Sequence, residues 1–317
     1  MSESSTASHP SIARQGHPSE TRHGHIRNRT RPAVYAGFIV LVGLAFIGPL
    51  IDLTGFAAQT DLHSHILLIP FVSAYLIFIQ RNQLPNEYAT SAGCGLLSFV
   101  PGLVSLIAAW SFLRVDPPIS HNDYLSLIAF SFVCFLAAGG FLFLGRKWMA
   151  AVAFPMAFLV FMAPLPDRLL HLLETASQVA STEAAAMFFT ITGTPMLRHS
   201  AVFQLPGIAI EVAQECSGIR SSWVLFITTL AASYLFLKSP WRRAVLIAFV
   251  IPLAILRNGF RIWVIGFLCT EIGPQMVHSV IHHQGGPIFF ALSLLPLFLL
   301  LWWLKRAEGR KAEISKC

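Results

Sequence analysis

The sequence predicts an all-α, polytopic membrane helical bundle of about eight transmembrane helices, with a small extracytoplasmic hairpin-like segment ahead of the sixth. Composition gives the class: of 317 residues, 55% are hydrophobic and 12% charged, where a soluble domain carries about 25% charged. Mean hydropathy is +0.65, and several apolar runs reach the ~20 residues that cross ~30 Å of hydrocarbon. The arrangement comes from Lys and Arg, which gather in alternate loops between those runs.

In chain order, residues 1–32 are polar and rich in Ser, His and Arg, and read as a disordered tail. They lack the charged-then-apolar layout of a cleavable signal peptide. Four histidines there (His9, His17, His23, His25) specify no ligand geometry, so a solvated tail without metal is expected. A single transmembrane domain, 33–305, follows. Its apolar runs predict spans over 34–53, 63–80, 93–113, 124–144, 148–165, 217–237, 244–268 and 286–304, and 306–317 forms a second tail.

Two stretches interrupt this series. Arg168 to Gly193 is helix-like but mixed in polarity, so it reads as an amphipathic helix at the interface or a helix buried in the bundle, adding no net crossing. From Gly193 to Cys216, the punctuation by Gly193, Pro195, Pro206 and Gly207 and the alternation in AVFQL and IAIEV predict a small hairpin.

One set of loops holds Arg14, Arg22, Arg27, Arg29 and Arg31, then Arg81, Arg146 and Lys147, Lys238, Arg242 and Arg243, and finally Lys305, Arg306, Arg310, Lys311 and Lys316. The opposite set holds only Arg114, Arg168 and Arg198. The positive-inside rule therefore puts both termini in the cytoplasm, with the hairpin outside. The net charge of +7 follows from this topology and does not call for a nucleic-acid partner.

The five cysteines show no C-x-x-C spacing and no zinc pattern. Cys94 and Cys134 sit in apolar runs as packing residues and Cys317 ends the polar tail, which leaves Cys216 and Cys269. Span seven carries Arg257, Asn258 and Arg261, costly groups in lipid and usually functional there. Arg257 and Arg261 are four apart and share a helix face, with Asn258 nearly on the same side. Arg261 would lie about 12 Å below the outer end near Cys269. The bland alternative has these arginines snorkelling, or pairing with Glu211, Glu215 or Glu271. The loop before span eight adds His278, His282 and His283 ahead of Gly285 and Gly286, either surface histidines or site residues. His63 and His65, at the outer mouth of span two, could line a site or sit in the interface.

Cys216 at the mouth of span six, Arg261 in span seven and His282 or His283 at span eight fall at one depth on one side. A thiol reacts as its thiolate, and a nearby cation or imidazolium lowers its pKa. Histidine can protonate a leaving amine and activate the next nucleophile. Arginine can hold the oxyanion formed when sulfur adds to a carbonyl. Together they describe thiol acyl transfer through a thioester.

At ECSGIR (215–220), RNGFRI (257–262) and HHQGGPIFF (282–290), the chain resembles the exosortase/archaeosortase family of membrane-embedded cysteine transpeptidases. DLHSHILLIPFVSAYLIF (61–78) and MAPLPDRLL (162–170) are weaker echoes. The resemblance implies Cys216 as nucleophile, Arg261 of N-x-x-R as stabiliser and His282 of H-x-x-x-G as acid/base. Asn258, Arg257, Arg220 and His283 are carried along as supporting residues. It implies no cofactor and no metal. Implied partners are the lipid bilayer and exported proteins bearing a C-terminal motif, one transmembrane helix and a basic end. The acceptor, an amine or a lipid or glycan group, stays open, and the setting implied is a bacterial inner membrane with sorting and exopolysaccharide production. Two other readings use the Arg257/Arg261 pair as an anion site: a membrane transporter and an exopolysaccharide-related acyltransferase.

Overall fold

The computed structural model describes residues 19–60, 62–116, 118–213, 217–273, 275–276 and 286–314, with side chains described from residue 30 to residue 310. The helices are α1 (Ser19–Ala45), α2 (Ile47–Gln59), α3 (Ile69–Gln80), α4 (Ala92–Phe112), α5 (His121–Phe143), α6 (Arg146–Ala151), α7 (Ala153–Phe158) and α8 (Asp167–Ile191). After a small sheet come α9 (Ile219–Phe236), α10 (Pro240–Glu271) and α11 (Gly286–Ile314). This is the all-α polytopic bundle expected, but the span count differs. Among the described residues, five helices (α4, α5, α9, α10 and α11) are long and apolar enough to cross a membrane, or up to 7 spans if two bent pairs count as one each.

Proline accounts for both bends. α1 and α2 meet at 72°, so the expected span 34–53 is not one straight helix. Pro49 has no N–H to offer the carbonyl of Ala45, where α1 ends. Likewise the expected span 148–165 is α6, α7 and a 3-10 turn (Leu159–Met162), bent by 90° into α8 after Pro164 and Pro166. α3 has 12 residues, about 18 Å of helix, shorter than a crossing. Helix also extends into both segments read as tails: α1 begins at Ser19 and α11 runs to Ile314. Residues 1–18 and 315–317 lie outside the described residues.

The segment 168–193 is largely α8 (Asp167–Ile191), which packs along α10 rather than lying apart from the bundle. The expected hairpin is a three-stranded antiparallel meander: β1 (Leu197–His199), β2 (Val202–Leu205) and β3 (Ile208–Glu211). Gly207, at φ +83, supplies the left-handed residue that turns β2 into β3.

Four apolar clusters hold these parts together, one of them joining α2 to α5 through Leu53, Ala57, Leu125 and Ala129. Of the others, the first surrounds α5 with Val42, Phe46, Ile128, Phe132, Leu136 and Met156. The second joins α9, α10 and α11 through Leu225, Leu246, Val250, Leu297 and Leu301. The third fixes the sheet to α8 and α10 through Ala185, Phe189, Phe203, Leu205, Val212 and Ile262. Close approach in the third depends on glycine: a Cβ on Gly259 would sit 2.5 Å from that of Ala184, and one on Gly266 2.5 Å from the Phe189 ring. Because the sheet is anchored to α8 and α10, the chain leaves β3 within reach of α10 just before α9 begins.

Candidate active site around the start of α9

Cys216, His282 and His283 lie outside the described residues, as do Gln214, Glu215 and His278. What the structure describes is the frame on either side of Cys216. Upstream, Gln178 of α8 donates its Nε2–H to the carbonyl of Val212. Downstream, the Ser177 hydroxyl donates to the carbonyl of Ser217 at 2.8 Å. Arg257 of α10 donates from Nη2 to the carbonyl of Gly218 at 3.3 Å and to the Ser222 hydroxyl at 3.0 Å. Three side chains from two helices therefore hold three backbone carbonyls that bracket residues 214–216. Outside a helix or sheet, such carbonyls need side-chain donors wherever water is scarce.

Gly218 lets this frame close. It caps α9 at φ +74 and ψ 10, a left-handed conformation that costs other residues energy. Its Cα face lies against Asn258, so that an added Cβ would meet the Asn258 Oδ1 at 2.7 Å and Cγ at 2.8 Å. α9 starts at Ile219, three residues after Cys216 in the sequence. α9 therefore presents the positive end of its dipole where the chain enters it from Ser217 and Gly218.

The two arginines of α10 are used differently. Arg257 and Asn258 are buried, at 8% and 2% exposure. Arg261, one turn on, is half-buried and lines a small cleft of about 30 Å³ with Asn258, Ile262 and Ile265 of α10, Ile210 and Glu211 of β3 and the following Val212. That is room for a water-sized group. Arg257 instead lines an open apolar groove between α8, α10 and α11. The shared face expected from the i, i+4 spacing places the two one turn apart, yet they serve separate recesses. Arg220 is exposed on the first turn of α9. Cys269 is buried at 2% exposure, a packing position.

His63 and His65 lie at the 3-10 turn Ser64–Leu67, ahead of α3. Both are buried, at 4% and 8% exposure, and His63 stacks near the Phe56 ring, with centroids 5.0 Å apart. His65 Nδ1 lies 3.0 Å from the carbonyl of Leu62. The polar residues that sequence reasoning passed over are Ser177 and Gln178. Their signal was their position: they are partly buried and lie four residues before the buried Ser181 and Thr182, on the same face of α8.

A family model described as Transmembrane exosortase (Exosortase_EpsH) matches residues 56–299. No curated protein matches the chain, and no solved structure does.

Proposed function

The chain belongs to the transmembrane exosortase family, and from that premise we propose that it is a thiol transpeptidase or peptidase acting on membrane-tethered proteins. The Cys216 thiolate attacks the scissile carbonyl, and the C=O π pair moves onto oxygen. Arg261 donates to that oxyanion from the cleft beside β3. As the tetrahedral intermediate collapses, the C–N bond breaks, His282 gives its proton to the leaving amine, and a thioester remains on Cys216. His282 then takes a proton from an acceptor amine or water, which attacks the thioester and restores the thiol.

The substrates are exported proteins that end in a short motif, one transmembrane helix and a basic tail. The basic end stays in the cytoplasm by the same rule that places this chain's Lys- and Arg-rich loops there. The motif then stands at the outer face, where α9 begins. Arg257 lies 17 residues into the 32-residue α10, about 26 Å from its start and about 21 Å from its end, and reaches the carbonyl of Gly218 where α9 begins. Sorting to the surface and a link to exopolysaccharide production belong to the same reading.

The observation that carries this reading is the frame: donors from α8 and α10 grip the backbone on both sides of Cys216, with Asn258 and Arg261 on the adjoining turn. Such investment in one non-helical segment fits a nucleophile that must be held in position. The test is a secreted reporter with such a C-terminal signal, co-expressed with wild-type, Cys216→Ala or Cys216→Ser protein. Each variant should insert normally and leave the signal uncleaved, and no thioester should be trapped by hydroxylamine. Signal removal by Cys216→Ala protein would refute the assignment.

A further inference from the structure

The two edges of the small sheet differ. β1 carries Arg198, whose ion pair with Glu183 ties that edge to α8. β3 ends the sheet on the other side, against α10. The ladder between β2 and β3 is fixed at both ends. The two-residue turn Pro206–Gly207 sets Leu205 opposite Ile208, and the Val212 N–H donates to the carbonyl of Ala201 at 2.9 Å. Hydrogen-bonded and non-bonded pairs alternate along an antiparallel ladder. The N–H and C=O of Ile208 and Ile210 therefore point toward β2, and those of Ala209 and Glu211 point out of the sheet. Ala209 and Glu211 are exposed. Among the described residues, no backbone hydrogen bond joins either of them to another element.

This edge leads to the candidate site. Cys216 follows Glu211 by five residues in the sequence, just past the Val212 carbonyl that Gln178 holds. Leu205, opposite the first residue of β3, lies against Gly266, where an added Cβ would meet its Cδ1 at 3.0 Å. The last residues of β3 share the cleft of Arg261 and Asn258. β3 thus runs opposite to α10, from beside Gly266 to beside Arg261.

We propose that the exposed edge of β3 binds the extended segment ahead of the substrate's transmembrane helix as an added strand, parallel to β3. The proposal rests on the function given above and names how that site takes its substrate. The chemistry of the edge selects this occupant. N–H and C=O groups at strand spacing are matched by another extended backbone, whereas a lipid acyl chain offers neither donor nor acceptor. Direction agrees with chemistry. The substrate's segment comes from the outer face and continues into its membrane helix, so it descends as β3 does, toward the residues around Cys216. A second copy of this chain does not match. Symmetric copies in one bilayer are related by an axis along the membrane normal, which leaves their β3 strands pointing the same way. A two-fold pairing of identical edges needs them antiparallel.

The experiment uses the full chain in Cys216→Ala form with Glu211→Cys added, so that a reporter ending in a motif, an apolar helix and a basic tail stays intact. Single cysteines occupy successive reporter positions ahead of its helix, and the membranes are mildly oxidised. The Cys216→Ala parent supplies the background from the remaining cysteines. Alternate reporter positions should cross-link and the intervening ones should not, the period of a strand. Equal links along the segment, a helical period, or links only between two copies of the protein would overturn the proposal. In protein with Cys216 intact, Ala209→Pro removes one outward N–H and leaves the ladder to β2 in place. In proteoliposomes it should need about fivefold more reporter for half-maximal processing, the effect of one backbone hydrogen bond. An unchanged half-saturation point, whatever the maximal rate, would overturn the added strand. The two readings fail separately. Alternate cross-links alongside processing that survives Cys216→Ala would sink the thiol mechanism and keep the strand. Cys216-dependent processing without that alternation would sink the strand alone.

Discussion

The α4–α5 pair and the α8–α10 pair are both built on glycine, yet only one is built to hold something. Between α4 and α5, a Cβ on Gly102 would approach the Cys134 Cβ to 2.8 Å, and one polar bond, from the Ser105 hydroxyl to the carbonyl of Leu127 at 2.8 Å, supplements the fit. The far side of α4 is open, with Leu97 at 77% and Val104 at 60% exposure. Between α8 and α10, Gly259 and Gly266 permit the same closeness. There, however, polar side chains reach past the helix contact to grip carbonyls of a non-helical segment. Small residues suffice to bring membrane helices together. Buried polar donors are costly, so their concentration around 212–218 marks the place where the backbone must leave helix and still be held.

The sharpest way to break this contrast is to add one methyl group in the frame beside α10 and one in the α4–α5 pair. Gly218→Ala puts a side chain at positive φ, at a cost of about 1–2 kcal/mol. It also drives a Cβ onto Asn258, with an overpacking cost of about 1–3 kcal/mol. Gly102→Ala carries only an overpacking cost of that order, on a normal helical backbone. Both variants should unfold earlier in detergent. Per folded molecule, however, Gly218→Ala should lose nearly all reporter processing and Gly102→Ala almost none. Equal specific activities would mean that the frame does not position the site.

Next in size is removal of the α8 grip. Ser177→Ala and Gln178→Ala each leave a carbonyl without its donor, at about 1–2 kcal/mol apiece. The double variant should lower processing more than its loss of thermal stability explains. Cys216 in it should also become more accessible to a thiol reagent. A loss of stability with unchanged labelling and processing would reduce these residues to ordinary packing.

Ser105→Ala is the matching change in the other pair, with an expected cost of about 0.6 kcal/mol, the average for a bond between membrane helices. It should shift unfolding slightly and leave processing alone. A fall in processing would show that the two pairs are coupled.

The contrast also explains what the sequence made legible. Helices α4, α5, α9, α10 and α11 follow from apolar length, and Arg257, Asn258 and Arg261 stood out because charge is rare inside such runs. The breaks at Phe46 and before Asp167 were not read, although Pro49, Pro164 and Pro166 mark them. Hydropathy averages across a proline, whereas backbone hydrogen bonding does not. Ser177 and Gln178 escaped because small polar residues on an amphipathic helix look solvated until a carbonyl is found opposite them. The separation of Arg257 from Arg261 could not come from spacing, since it depends on where β3 and α11 lie against α10.

The smallest effect is expected at the edge of the frame. Arg198 of β1 meets Glu183 of α8 in a two-pronged ion pair, Nη1 to Oε2 at 2.9 Å and Nη2 to Oε1 at 2.7 Å. The Glu183 side chain is 64% exposed, so water and salt compete with the pair. The third apolar cluster already fixes the sheet to α8, through Phe189 against Phe203 with ring centroids 5.3 Å apart. Glu183→Gln should therefore lower thermal stability barely, and less at high ionic strength, with processing unchanged. If it instead impaired processing as severely as Gly218→Ala, the sheet would be held by its rim charges rather than by its apolar face. The ranking of polar bonds by burial would then be wrong.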